Sequence, residues 1–169
     1  MRIPWRPAAD GAAEALRKIV FAMSWVSGAA ILAMTGITVT DVMLRKTPWA
    51  FAGTYDIVMV LGAVSISAAL PYTTAVKGHV AIEFLYHRMG RGGRLVMDIF
   101  LRVLSIGLLG LAVQECVRYG NMLYQTGQVS QTLQMPIFWL PYFIAVCLVL
   151  TVLVMFYHMT HPGKVLIQP

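Results

Sequence analysis

The sequence predicts an all-α integral membrane protein with four transmembrane helices, both termini cytoplasmic, and short interfacial helices. Three observations predict it. First, Asp, Glu, Lys, Arg and His are missing from Ile19 to Thr40, Ile57 to Val76, Val103 to Gln114 and Tyr119 to Tyr157. Second, hydrophobic residues make up 59% of the 169 residues and charged residues 12%, against about 25% charged in ordinary soluble domains. Third, the 13 basic residues punctuate the apolar runs instead of gathering in one patch. A net charge of +6 therefore reads as membrane topology, and no nucleic-acid partner is expected.

Crossing the roughly 30 Å hydrocarbon core takes about 20 apolar residues in a helix. The first two runs, 22 and 20 residues long, meet that length and predict spans at about 19–42 and 56–76. Their lack of period-two alternation selects helices over a barrel. The third run has 12 residues and becomes a crossing over about 95–117 if Asp98 and Arg102 sit at its mouth. The fourth run of 39 residues holds a span at about 137–157, preceded by a Gln-rich approach. The whole chain, 1–169, reads as a single membrane domain without internal repeats.

Orientation follows from the basic residues. With the N-terminus inside, ten of them fall in cytoplasmic segments, from Arg2 to Lys164, and three outside: Arg45, Lys46 and Arg118. That asymmetry is a positive-inside pattern. The first run exceeds the 7–15 residues of a signal-peptide core, so it reads as an uncleaved span. Between spans two and three, His79 to Met89 mixes bulky apolar residues with charges at near-helical spacing before Gly90, Gly92 and Gly93. This predicts an interfacial helix over about 79–90. Pro48, Trp49 and Phe51 suggest a second interfacial segment at about 45–54. Arg88, Arg91 and Arg94 suit anionic lipid headgroups.

The chemistry visible in the sequence is sparse. Asp41, Asp56, Asp98, Arg102, Glu115 and Arg118 all fall near expected span ends, so a proton or ion relay through the centre has nothing to run on. Asp98 with Arg102, and Glu115 with Arg118, have the spacing of same-face ion pairs. His79, His87, His158 and His161 lie in cytoplasmic segments or at the inner end of span four, which disfavours haem held between spans. Cys116 and Cys147 lack a CxxC partner and read as buried small hydrophobes, the alternative being a disulfide if the bundle brings them together. No catalytic site, cofactor or metal is expected, and the chain does not read as an enzyme. Ser24, Gly28, Gly36, Ala63, Ser67, Gly107 and Gly110 allow close helix approach, either within the chain or against another membrane subunit.

One stretch carries a resemblance. Asp41-Val42-Met43-Leu44-Arg45, then Trp49, then Asp56 opening span two, precede Leu70-Pro71-Tyr72-Thr73-Thr74 and Lys77-Gly78-His79-Val80-Ala81-Ile82-Glu83. Before span four stands Ser130-x-Thr132-Leu133-x-x-Pro136-x-x-Trp139. In this order the segments are similar to the small membrane subunit, of DctQ type, of tripartite ATP-independent periplasmic (TRAP) transporters. Members often carry an acidic pair where this chain has Tyr55-Asp56, an aromatic where it has Lys46, and Asp where it has Glu83.

The resemblance implies a sodium-coupled importer of an organic anion. In such a transporter a periplasmic binding protein captures the anion and a large, DctM-type membrane subunit moves it. The small subunit would brace the large one and help dock the binding protein. Asp41, Arg45, Trp49, Asp56, Lys77, His79, Glu83, Thr132 and Pro136 are the structural or partner-interface residues this implies. Arg45 and Asp56 flank one short loop, where they either pair or stand as independent snorkelling charges. The alternative from another class is a membrane anchor for a respiratory redox complex. A small autonomous exporter would need a membrane-embedded carboxylate, which the expected spans lack.

Overall fold

The computed structural model describes residues 7–45, 53–76 and 91–160. Four α-helices make up nearly all of it: α1 (Pro7–Leu44), α2 (Thr54–Ala75), α3 (Arg91–Thr126) and α4 (Trp139–Thr160). Each contains a stretch long and apolar enough to cross a membrane, and the described residues include no strand. The expected segments 79–90, and 45–54 apart from its ends, lie outside the described residues.

Helix lengths depart from the expectation at α1 and α3. α1 runs 38 residues and α3 runs 36, about 55 Å each at 1.5 Å per residue. Pro7 begins α1, where a missing N–H costs no hydrogen bond and the ring pre-sets φ. α3 continues well past residue 117 because nothing between Glu115 and Thr126 breaks a helix. Its stop comes at Gly127, in the left-handed region at φ 62°. There Gln128 N–H donates to the Leu123 carbonyl at 3.3 Å, a glycine-terminated cap.

The apolar helices carry many hydroxyls, and these turn back on their own backbone. Thr35, Thr38 and Thr40 donate to the carbonyls of Ile31, Met34 and Gly36 at 2.8–2.9 Å. Thr74, Thr126 and Thr151 do the same on the other helices. With its hydrogen bond made internally, each side chain presents little polarity to its surroundings, as a medium without water demands.

Packing joins the helices in a row, α1 against α2, α2 against α4, and α4 against α3. The arrangement is open, with α1 and α3 at its edges. Val20 of α1, Ala75 of α2 and Val154 of α4, each fully buried, meet at one end with Leu16, Tyr72 and Tyr157 around them. Midway, Ser27 and Ser65 clasp α1 to α2. The Ser27 hydroxyl donates to the Ser65 carbonyl at 2.9 Å, and the Ser65 hydroxyl to the Ser27 carbonyl at 3.3 Å. At the same level Ser67 of α2 contacts the buried Cys147 thiol of α4. Cys147 and Cys116 are both free thiols.

α3 is held by a contact near its end. The Tyr142 hydroxyl donates to the Asn121 Oδ1 at 2.6 Å, while its ring lies over Gly120, where an added Cβ would be 3.0 Å from the ring. Tyr124 and Phe138 meet edge to face, 5.4 Å between centroids. This contact fixes the register of two antiparallel helices. Arg118, three residues before Asn121, stands level with Ala145, three after Tyr142; Glu115 stands level with Leu148. The Glu115–Arg118 pair forms as its spacing predicted, at 3.0 Å. Its level is the middle of α4, however, and not the end of a span.

Candidate functional site

The segment between α3 and α4 is short but tightly built. Val129 and Pro136 face each other in an antiparallel bridge, a position where the missing proline N–H is harmless. Ser130 N–H donates to the Met135 carbonyl at 2.9 Å, and Met135 N–H to the Ser130 hydroxyl at 3.2 Å. Gln134 takes a left-handed conformation, φ 51°, which lets the chain reverse within so few residues. The outcome is a narrow loop whose tip exposes two adjacent backbone N–H groups.

Those two groups converge on one carboxylate oxygen. Thr132 N–H and Leu133 N–H both donate to Asp56 Oδ2 at 2.8 Å, and the Ser130 hydroxyl adds a side-chain hydrogen bond. Asp56 lies in the first turn of α2, where the helix dipole favours negative charge. It is 3% exposed. Beside it the Leu133 side chain covers Gly53, the residue before α2. A Cβ at Gly53 would fall 2.5 Å from Leu133 Cδ2, so any larger residue there must displace the Leu133 side chain, the Gly53 φ of −92° being ordinary. A charged clasp and an apolar contact together anchor the α3–α4 loop to the start of α2.

The second carboxylate at this end is Asp41. Arg45, in the turn just after α1, places Nε and Nη2 both 2.9 Å from Asp41 Oδ2 in the last turn of that helix. Asp41 is buried and Arg45 is exposed. The Arg45–Asp56 pair is therefore not formed. Arg45 reaches back to the carboxylate four residues before it, at the end of α1, and Asp56 Oδ2 is already taken by two amide donors. Below Asp41 an open groove of about 690 Å³ runs between α1 and α2, lined by Ala33, Gly36, Ile37 and Ile57.

Of the residues singled out from sequence, Asp56 and Thr132 are brought together, Thr132 through its backbone and not its exposed side chain, and Pro136 stands in the same loop, bridged to Val129. Asp41 and Arg45 form a separate pair nearby. Trp49, Lys77, His79 and Glu83 lie outside the described residues, as do the side chains of Asp98 and Arg102. Sequence reasoning missed Gly53 and Leu133 as a packing pair. The available signal was a glycine just before a helix that opens with an acid. Among the described residues no group of three His, Cys, Asp or Glu is placed to hold a metal.

The arrangement binds one part of the chain to another. Its parts, Asp56 and the Ser130–Pro136 loop, are among the segments that carried the resemblance, beside Asp41–Arg45, Trp49, Leu70–Thr74 and Lys77–Glu83. A family model described as the DctQ component of tripartite ATP-independent periplasmic transporters matches residues 34–162. The chain belongs to the DctQ family. The match starts within α1 and ends just beyond α4, so it includes the clasp and the α3–α4 contact but leaves out Ser27 of the serine contact. No curated protein and no solved structure matches the chain. DctQ proteins are the small membrane component of TRAP transporters, and this chain is a membrane protein of that kind.

Proposed function

We propose that this DctQ subunit is the scaffold of a sodium-coupled TRAP transporter that imports an organic carboxylate across the bacterial inner membrane. It braces a DctM-type large subunit, which carries the substrate and sodium sites. The end bearing the Asp56 clasp faces the periplasm and widens the surface on which the binding protein docks. Both termini face the cytoplasm. The observation that carries this reading is the open row of helices. α1 packs chiefly on α2 and α3 chiefly on α4, which leaves each an open flank where a further membrane helix can pack.

A rigid outer loop suits docking, because a preformed surface loses less entropy when a partner binds. The clasp supplies that rigidity from within the chain. The test is reconstitution into liposomes of this chain, the large subunit and the binding protein, with radiolabelled carboxylates outside. Uptake should need an inward sodium gradient and all three proteins. Full uptake with this chain omitted would refute the scaffold role.

A further inference from the structure

The Glu115–Arg118 pair is placed where a lone membrane helix does not keep one. Its level can be read from three neighbours. Across the row, Ser27 pairs with Ser65 and Ser67 meets Cys147, near the centres of the uncharged runs of α1 and α2. Leu148, level with Glu115 through the Asn121–Tyr142 contact, is the middle residue of the apolar stretch Trp139–Tyr157. Any bilayer that covers α1, α2 and α4 therefore has this ion pair near its midplane.

The pair also points away from the rest of the chain. α3 meets α4 through Gly120, Leu123 and the half-buried Cys116. Glu115 and Arg118 lie on the opposite side, 67% and 70% exposed. Leu104, Leu111 and Met122 flank them at helical spacing and are exposed too. Ionisable side chains within spans face a protein interior or a water-filled cavity, not lipid. Arg118 offers five N–H donors, and its one bond to Glu115 leaves the remainder unmet in hydrocarbon, where no water supplies acceptors.

We infer that the α3 face centred on Glu115 and Arg118 is the intramembrane seat of a transmembrane helix of the large subunit, which presents a hydrogen-bonding side chain at that depth. This deepens the scaffold reading and rests on it. The partner is taken as the large subunit because the family is one component of a multi-part transporter. Carboxylate, carboxamide or hydroxyl groups on that helix would complete the hydrogen bonding of the guanidinium. The leucine-rich flanks would pack against its apolar turns.

The experiment uses the full complex in native membranes. A photo-crosslinking amino acid is placed at Leu111. Leu111 should yield an adduct with the large subunit. An adduct with a second copy of this chain, or with lipid alone, overturns the assignment. In parallel, Glu115→Leu/Arg118→Leu is purified beside the unchanged chain. The doubly apolar helix inserts at least as readily, yet recovery of the large subunit should fall by about tenfold or more. Unaltered recovery also overturns the assignment. Should the unchanged chain itself recover no large subunit, the scaffold reading fails instead, so the two failures are distinct.

Discussion

Asp56, in the first turn of α2, accepts the backbone N–H of Leu133 at 2.8 Å, although 77 residues separate them. Through that bond and its twin from Thr132, the loop that closes the α3–α4 hairpin becomes part of the α2 terminus. A carboxylate that satisfies two adjacent amides makes charge-assisted hydrogen bonds, stronger than neutral ones. The clasp thus orders a loop that would otherwise depend on its own short bridge.

Asp56→Ala should release the loop. Hydrogen exchange at the Thr132 and Leu133 amides should accelerate by about tenfold or more, with α4 protected as before. Asp56→Asn retains a carbonyl acceptor and should show a smaller change. Exchange mass spectrometry of the loop peptide decides it, and equal protection in Asp56→Ala would show that the carboxylate is dispensable.

Gly53→Ala should cost about 1–3 kcal/mol of stability, because its Cβ must displace Leu133 from a packed position. Leu133→Ala removes the obstruction at its own cost. The double variant should therefore lose less than the sum of the two single losses. Thermal unfolding in detergent of the four proteins of this cycle checks the prediction. Strict additivity would mean that the two residues do not meet.

Tyr142→Phe deletes the hydroxyl that bonds Asn121 and should cost about 1 kcal/mol. Gly120→Val should cost more, since its side chain enters the space of the Tyr142 ring. Both variants should loosen α3 selectively, α3 packing chiefly against α4. Cysteine accessibility at Cys116 reports the loosening, and Cys147, among α2 and α4 side chains, should stay protected.

Ser27→Ala and Ser65→Ala test the contact between α1 and α2. Hydrogen bonds between membrane helices average about 0.6 kcal/mol, so each variant should be only slightly destabilised. A loss several times larger in Ser27→Ala would mean that the contact supports more of the row than its geometry suggests.

Much of this fold was legible because lipid imposes simple demands on sequence. Uncharged runs near Ile19 and Ile57 marked α1 and α2, and Trp139 to Tyr157 marked α4, since length and apolarity alone define a crossing helix. The extent of α3 was not legible. Its uncharged run, Val103 to Gln114, is too short for a span, and the sequence does not say from which end to lengthen it. The Gly120–Tyr142 and Asn121–Tyr142 contacts settle the register, and they are tertiary facts. The clasp was half legible. Asp56 and the Ser130–Pro136 segment stood out separately, but nothing local says that an aspartate binds backbone amides 76 and 77 residues away. Arg45 shows the converse error. Proximity in a loop suggested Asp56, whereas helical spacing already supplied Asp41.

The most direct test of the scaffold claim is affinity purification of this chain from its native membrane in mild detergent, with mass spectrometry of the proteins that accompany it. A large polytopic membrane subunit at near-equal molar yield is the result expected. Recovery of this chain alone, or with a soluble flavin or iron–sulfur subunit in place of the polytopic partner, would contradict it.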